Sequence, residues 1–484
     1  MRKLILYLSL LALISLLGCE DLLDENPKTF ISSVNFYKSV SDFEAALKGL
    51  YVPVRNMALS SVQLEVIASY SDRPEQAGEP LEIWRNNLST NTPGGDWTNP
   101  YSLINNANLI LEGLNKVHLD AVIENKIEAE AKLLRAFAYF SLVQQFGDIP
   151  LRDRPVRSIT EIQCPKSSQS DVYDLILSDL NFAESNLPEV GPDVARVNKF
   201  VAKALLARVY LTTAGFPLHR TENYALAKTK ALEVINSGKY ALVSDYGDVF
   251  HKTRTYTSES IWEAFWQVPF TINNLHLRSA PTGSSSATLL PTNAFEASFP
   301  VGDRRKEWGI RNGYINAKGH TIVARTYFNK HINPQFFEDE LTAGAAEQAY
   351  EYNTPIIRLA EMYLIAAEAE NEMNGPENAY QYINIIRERA RINKSDPTHV
   401  PDLSGLSKEQ FRSAVLMERE WELYMEGHAW FDMKRTQTFD KIQSARGSDL
   451  AVPIGPYNNT FLIPLSELLN NKIEQNPLYI SGAK

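Results

Sequence analysis

Apolar residues recur at helical spacing in several blocks of this chain, and each block ends at a helix-stopping residue. Residues 123–151 show the spacing at Ile127, Leu134 and Val143, and the pattern stops at Gly147. Two further blocks of the same kind cover residues 198–218 and 223–242. The spacing predicts a helix in each block, with the last two packed as an antiparallel pair.

A second predicted helix pair covers residues 354–375 and 376–392. Pro376 stands where we expect the first turn of the second helix, a position that proline tolerates. Ala367 and Ala379 match the small positions at which tetratricopeptide helices approach each other closely. The copies are not in tandem, so the pattern fits either repeat-like hairpins or generic helix packing.

Irregular stretches separate the helical blocks at residues 70–101 and 267–335, which are rich in Gly, Pro, Asn, Ser and Thr. Long loops inside a helical scaffold are usually functional or disordered, and the aromatic residues here favour order. Residues 309–331 contain short alternating runs that predict a small β-hairpin. The whole pattern predicts an all-α dominated protein with long irregular loops.

The first eighteen residues have the plan of a secretory signal. A positively charged start precedes an apolar run over residues 4–17, which is shorter than the about 20 residues of a membrane-spanning helix. The segment LLGC at residues 16–19 resembles the bacterial lipobox, in which the cysteine is lipidated and the chain is cut before it. We expect a cleaved signal over residues 1–18 and a lipid anchor on Cys19; an ordinary buried thiol is the alternative.

Four acids follow Cys19 closely: Glu20, Asp21, Asp24 and Glu25. Self-repulsion keeps such a segment solvated and extended beside a membrane, which makes residues 19–27 a simple acidic tether. The acids also resemble the export signal of Bacteroidetes surface lipoproteins, and this second interpretation is preferred.

Composition excludes several classes of protein. The chain has 484 residues and a formal net charge of −10, or −12 without Arg2 and Lys3, and no basic block occurs. Nucleic acid is therefore not an expected partner. Cys164 is the only other cysteine, so the sequence offers no internal disulfide framework. No second long apolar run occurs, which leaves the lipid as the expected membrane attachment.

Motifs of catalysis are missing from the sequence. It contains no H-E-x-x-H, C-x-x-C, G-x-S-x-G, P-loop or G-x-G-x-x-G pattern. Glu426 and His428 are two residues apart and, on one helix, would face different directions, so no metal site is expected there. Paired carboxylates of a glycoside hydrolase act at a spatial separation, and the sequence leaves that possibility open.

The most specific sequence motifs are six segments, which occur along the chain in this order: residues 133–151, 204–211, 355–369, 383–391, 417–435 and 462–479. With the lipobox, they resemble the SusD/RagB family of Bacteroidetes surface nutrient-binding lipoproteins over essentially the whole mature chain. Ala429 stands where the family pattern usually has arginine.

The resemblance implies a single SusD-like domain over residues 28–484, with an N-terminal part at about 28–220 and a C-terminal part at about 260–484. It implies tetratricopeptide-type helix pairs in a superhelix, with irregular loops forming the ligand face. The implied function is a non-enzymatic one. The lipoprotein lies on the cell surface over a SusC-like TonB-dependent transporter in the outer membrane and delivers oligosaccharides, or in some members peptides. No cofactor is implied.

Charged residues within these segments lie among apolar positions: Arg358, Glu361, Arg387, Arg389, Glu418, Arg419, Glu420, Glu422, Glu426 and Arg435. Charges in such places persist only when they are paired and hydrogen-bonded. We therefore expect a structural network that ties helices together rather than a ligand site.

Sugar rings pack on aromatic faces, and Asn and Arg side chains hydrogen-bond their hydroxyl groups. The candidate ligand residues are Trp84, Arg85, Asn86, Asn274, Arg278, Trp308, Tyr314 and Tyr327. Trp97 is assigned to the fold, because the family shows a similar Trp–Tyr–Ile–Asn pattern there. The expected effect of Trp84→Ala or Trp308→Ala is weaker binding by a protein that still folds. A peptide binder, a pure scaffold and a surface glycoside hydrolase are the alternatives.

Overall fold

The computed structural model describes residues 36–72, 82–250, 256–266, 289–315, 320–331 and 353–482. The expected signal, the anchor on Cys19 and the acidic tether lie outside the described residues, as do Asn274 and Arg278. Most of the described chain is helical. None of the helices in these ranges is long and apolar enough to span a lipid bilayer.

Six helices form the N-terminal half: α1 (Val40–Gln63), α2 (Thr98–Leu114), α3 (Ala121–Phe146), α4 (Gln169–Asn186), α5 (Lys199–Ala214) and α6 (Asn223–Ile235). Each packs against the next along the chain. The C-terminal half continues with α7 (Asn293–Ser298), α8 (Arg304–Gly309), α9 (Leu359–Asn374), α10 (Tyr380–Ala390) and α11 (Lys408–Leu423). The last helices are α12 (Ala429–Thr436), α13 (Asp440–Arg446), α14 (Leu465–Asn470) and α15 (Pro477–Gly482).

Local sequence signals account for many helix ends. The Asp120 carboxylate accepts from the backbone N–H of Val122 at the start of α3, and Ser168 accepts from Asp171 at the start of α4. The predicted stop at Gly147 is confirmed, because α3 ends at Phe146 and Gly147 has a positive φ of 75°. A complete capping box at Ser407 and Gln410 begins α11.

Eight short strands form four two-stranded antiparallel sheets in the described chain: β1 (Ser71–Asp72) with β5 (Leu290–Pro291), β2 (Ile149–Pro150) with β3 (Lys166–Ser167), β4 (Ser260–Ala264) with β8 (Thr354–Arg358), and β6 (Ile310–Ile315) with β7 (Thr321–Phe328). The β6–β7 pair is the hairpin that the sequence predicts, with Ile310 opposite Phe328. The β1–β5 and β4–β8 pairs join distant parts of the chain, whereas β2 and β3 lie close together in the sequence.

The predicted helix over residues 354–375 is wrong for its first five residues, which form β8. Thr354, Ile356 and Ile357 are β-branched and buried, and Pro355 disfavours a helix interior, so this run suits a short buried strand. The expected place of Pro376 is also wrong. A turn in which the Pro376 carbonyl accepts from Ala379 N–H precedes α10, which begins only at Tyr380.

Residues 417–435 do not form one continuous helix. Met425 and Gly427 have positive φ values of 60° and 83°, and they separate α11 from α12. A Cβ atom at Gly427 would lie 2.8 Å from the Ser61 Cβ atom, so this turn requires glycine to pass close to α1. The break places Glu426 and His428 on a connection instead of a helix.

One large hydrophobic core runs through both halves, from Phe43 on α1 to Ile473 near the C-terminal end. Helix α9 packs along α6, and the small residues Ala366 and Ala369 of α9 are fully buried at 0% exposure. In a separate hydrophobic cluster, Ala367 of α9 and Ala379 pack with apolar residues of α11. The predicted close approach at these two alanines is confirmed, and the all-α dominated fold is as expected.

Candidate ligand-binding site

The ten charged residues that the sequence assigns to a structural network all form ion pairs. Arg358, at the end of β8, lies 2.6 Å from a Glu422 carboxylate oxygen, 2.8 Å from one of Glu426 and 2.7 Å from one of Glu259. All four side chains are buried. The network is confirmed as architecture. Several members of the network were not predicted from the sequence, among them Glu259, Asp303, Arg305 and Lys330.

Electrostatics fixes the ionisation of the central carboxylates. Burial alone would raise the pKa of Glu422, but Arg389, Arg358 and Arg305 outweigh it and hold that pKa well below its ordinary value. Burial likewise opposes ionisation of Glu426, yet its cationic neighbours lower its pKa to about 2. Carboxylates held ionised in this way are unsuited to donate protons near neutral pH.

Glu426 and His428, the residues of the rejected metal site, have separate partners. The Glu426 carboxylate accepts from Lys330 and Arg358 at 2.6 and 2.8 Å. The His428 ring faces Glu361, with 3.9 Å between Nδ1 and Oε1, and burial lowers the histidine pKa to about 4. No cluster of three or more metal-ligating side chains occurs among the residues that the structure describes.

Trp84, a predicted ligand platform, lies inside the molecule with 9% of its surface exposed. The Arg446 guanidinium lies over its ring at 5.0 Å and donates to the Trp84 carbonyl at 2.9 Å. Asn86 is also buried, and its amide bonds the Val452 carbonyl and the Tyr457 hydroxyl. A sugar could stack on Trp84 only if the ring moved.

Arg85 is the exposed member of this segment. Its backbone carbonyl accepts from Ala451 N–H at 2.8 Å, and the residue is exposed to solvent. The segment is therefore anchored by Trp84 and Asn86 below and presents Arg85 outward. Of the three residues, only Arg85 can meet a ligand without a rearrangement.

Trp308 lies at the edge of a separate aromatic cluster. Its partly exposed ring stacks on Phe250 with centroids 5.8 Å apart and meets Tyr246 edge-on at 6.2 Å. Glycine at position 247 permits this packing, because a Cβ atom there would lie 2.5 Å from Trp308 Nε1. Tyr327 is fully buried, and its hydroxyl donates to the Gly313 carbonyl across the hairpin.

The structure does not gather the predicted ligand residues into one site. Trp84 packs with Arg446, whereas Trp308 packs with Phe250 and Tyr246 in a different hydrophobic cluster. Tyr314 lies on β6, which places it on the hairpin without assigning a contact. Trp97, assigned to the fold, is confirmed there: it meets Phe146 edge-on at 4.9 Å and is buried.

Three of the cavities in the described part of the chain differ widely in size. A cavity of about 70 Å³ between the halves is bordered by Arg208, Arg419, Asp432 and other residues. Its arginines and carboxylates are engaged in ion pairs, for example Arg419 with Asp432 at 2.8 Å and Arg208 with Glu361. A cavity of about 20 Å³ lies beside Trp84. Neither has room for a sugar ring.

The third cavity, of about 290 Å³, lies where the end of α3, the start of α4 and the C-terminal segment meet. It is lined by Phe146, Lys166, Gln169, Phe216, Lys434 and Asn476, among others, and is called the Lys434 cleft below. None of the predicted ligand residues borders it. No pattern in the sequence points to this cleft, because its lining comes from six separate segments and Lys434 lies within a motif assigned to architecture.

Comparisons with known proteins match both halves of the chain. The family model described as "SusD family" matches residues 253–453, and that described as "Starch-binding associating with outer membrane" matches residues 21–211. A SusD-like protein of Formosa agariphila is 28% identical, covering 98% of this chain and 97% of its own length. A SusD-like protein of Bacteroides ovatus is 26% identical, covering 90% and 82% respectively.

Solved structures share the fold. A SusD superfamily protein of Parabacteroides distasonis has a TM-score of 0.80 at 24% identity, covering 92% of this chain and 99% of its own. A laminarin-binding SusD-like protein has a TM-score of 0.76 at 24% identity, covering 91% and 100%. The two family models, the full-length relatives and the shared fold agree with the resemblance seen in the sequence: the chain belongs to the SusD/RagB family.

Proposed function

We propose that this protein is a cell-surface lipoprotein that captures oligosaccharide or polysaccharide and passes it to a SusC-like TonB-dependent transporter of the outer membrane. Cys19 carries the lipid that anchors it, facing outward. One observation carries the proposal: relatives named SusD-like align with this chain over nearly its whole length and theirs. The starch-binding description of the N-terminal family model supports a glycan over a peptide.

A binding role without catalysis is consistent with the state of the carboxylates. Glycoside hydrolysis requires a general acid whose pKa lies near the working pH. Asp432 and Glu426, the carboxylates at the cavity between the halves, are paired with arginines and have pKa values far below that range, despite burial that opposes ionisation. They suit a framework better than acid catalysis.

Trp308 is the aromatic residue that we retain as a glycan platform. Its ring is partly exposed at the edge of a rigid aromatic cluster, and a flat, fixed ring offers its face to the C–H groups of a sugar at little cost in side-chain entropy. Arg85 is the exposed polar candidate. Trp84 and Asn86 act beneath the surface by holding the segment that presents Arg85.

Affinity electrophoresis of the detergent-solubilised full chain against plant, host and microbial polysaccharides tests the proposal, with reducing-sugar release measured in parallel. Retardation by one polysaccharide without release of sugar is the expected result. Release of sugar contradicts the non-catalytic role. Absence of both contradicts glycan capture and favours a peptide ligand or a scaffold.

Trp308→Ala and Trp84→Ala then locate the site. The first is expected to weaken retention about tenfold, as loss of one stacking ring does, with little change in unfolding midpoint. The second leaves a cavity in a packed region and is expected to lower stability by about 3 kcal/mol. Unchanged retention by a folded Trp308→Ala protein removes that residue from the site.

A further inference from the structure

The Lys434 cleft is larger than the two other cavities described above, and the proposed glycan site does not use it. Its volume of about 290 Å³ is near the lower end of the range for small-molecule sites, about 300–1,000 Å³. This size suits one sugar unit better than a long chain. Two aromatic side chains, Phe146 and Phe216, contribute to an otherwise mixed polar and apolar lining.

Lys434 is the buried charge of the cleft. Only 5% of its surface is exposed, and its ammonium group donates to the Gln144 carbonyl and lies 5.7 Å from the Trp430 ring. Within the described ranges, no carboxylate pairs with it. Burial alone lowers its pKa, to about 7, with no opposite charge to counter the loss of water.

A lysine ammonium has three donors, and here one is used by the protein. Burying an ammonium without an opposite charge is costly, so such a group favours a ligand that brings one. Two other charged residues, Lys166 and Asp148, border the cleft, and both have protein partners. Lys166 donates to the Glu474 carbonyl at 3.0 Å, and Asp148 accepts from Gln169 N–H at 3.0 Å. With Lys434 protonated, the lining thus carries a net charge of about +1.

Two further features fit a sugar. Gln169 borders the cleft, and its side-chain oxygen is buried with no hydrogen-bond partner among the described residues, so this oxygen can accept from a hydroxyl group. The Phe216 ring is partly exposed on the cleft wall and offers an apolar surface to the C–H face of a pyranose. The cleft therefore combines a cation, an acceptor and an aromatic wall.

We propose that the Lys434 cleft is a second binding site, which takes one acidic sugar unit by pairing its carboxylate or sulfate group with Lys434. The sugar hydroxyls are bonded by Gln169, and the ring lies against Phe216. The choice of a sugar rests on the proposed function, whereas the anionic group is inferred from the cleft alone.

A purely structural role makes a different prediction. Lys434 donates to a carbonyl in the last turn of α3, where a cation stabilises the helix end. If capping is its whole purpose, Lys434→Met lowers the stability of the protein, and no acidic ligand distinguishes the variant from the wild type.

Isothermal calorimetry on the detergent-solubilised full chain tests the site with methyl glucuronide, glucose 6-sulfate, methyl glucoside and sodium sulfate. We expect one of the two acidic sugars to bind and the neutral glucoside not to bind. Lys434→Met is expected to weaken that binding at least tenfold. The matched control is Lys441→Met, at a lysine that pairs with Glu420 outside the cleft, and it should leave the binding unchanged. Failure of both acidic sugars, or equal binding by wild type and Lys434→Met, overturns the proposal.

Sodium sulfate separates a sugar site from a site for a free anion. If it binds as tightly as the acidic sugars, the assignment to a saccharide is wrong. The polysaccharide panel on the wild type is an independent measurement, so a failure of glycan capture and a failure of the Lys434 cleft can be told apart.

A pH series needs no variant and guards against misfolding of Lys434→Met. Affinity for the acidic sugar should fall as the pH rises from 6 to 8.5, because Lys434 loses its proton in this interval. Lys434→Gln, which keeps Lys166 and Asp148, should show a flat profile. A flat wild-type profile, or a slope that persists in Lys434→Gln, contradicts the role of Lys434.

Discussion

Two buried lysines, Lys330 and Lys434, have opposite surroundings. The Lys330 ammonium donates to the Glu426 carboxylate at 2.6 Å and to two backbone carbonyls, and it lies over the Tyr424 ring at 4.2 Å. The Lys434 ammonium has one carbonyl and no acid among the described residues. Burial lowers both pKa values, to about 8 for Lys330 and about 7 for Lys434.

The two lysines differ in how many of their hydrogen-bond donors the protein uses. Every donor of Lys330 has a partner, so the group is fully used in holding β7 to the turn between α11 and α12. Lys434 borders a cavity, and two of its donors have no partner among the described residues. Burial of a charge is therefore not by itself a sign of function; the count of unused donors beside open space is more informative.

The largest expected effect is at the centre of the paired region. Arg358→Met removes the cation that Glu259, Glu422 and Glu426 share. These buried carboxylates are then left with Arg305, Lys330 and Arg389 as their remaining partners. We expect a loss of about 3–5 kcal/mol in the free energy of unfolding, measured by urea denaturation. The control Arg412→Ala breaks a half-exposed pair with Glu372 and should cost about 1 kcal/mol or less. Similar losses of unfolding free energy in both variants would show that the buried network stabilises the protein no more than the half-exposed pair does.

Lys330→Met probes the same region at one of its edges. It leaves the Glu426 carboxylate with Arg358 alone and removes the lysine donor of the Tyr424 carbonyl. The Glu422 carbonyl also loses Lys330 but keeps Arg358 and Tyr246 as donors. We expect a loss of about 2–4 kcal/mol, because unsatisfied buried groups keep their full desolvation cost. A neutral effect in urea denaturation would show that the ammonium is not needed there, and the comparison between the two lysines would fail.

The sequence predicted the paired region far better than the cleft. Arg358, Glu422 and Glu426 lie among apolar residues at helical spacing, and pairing follows from the cost of burying charge, wherever the partners are. The break at Gly427 and the strand of β8 were missed, because close approach to α1 and pairing with β4 are tertiary constraints that local periodicity does not contain.

The candidate sites were harder to predict for the same reason. Trp84 and Trp308 have the same residue type and similar irregular surroundings in the sequence, yet one is covered by Arg446 and the other is partly exposed. Lys434 stands in the segment MKR, and only the folded chain brings Phe216 and Gln169 to it. Exposure and cavities are properties of assembled segments, and no single segment records them.

Lys434→Met is expected to give the smallest change in the free energy of unfolding, and this change is an increase rather than a loss. It removes an uncompensated buried charge at the loss of one hydrogen bond, so we expect the unfolding free energy at pH 6 to rise by about 1–2 kcal/mol. The folded-state pKa of about 7 lies below the ordinary lysine value near 10.5. Between these values the unfolded wild type binds more protons than the folded one, so wild-type stability rises with pH.

The advantage of Lys434→Met should therefore shrink by about 2 kcal/mol between pH 6 and pH 9, as paired urea titrations would show. Lys330 and the other groups that titrate in this interval are common to both proteins, and their contributions cancel in the difference. A difference that is independent of pH would mean that Lys434 keeps its proton in the folded protein. It would then have an acidic partner already, and the distinction between the two lysines would vanish.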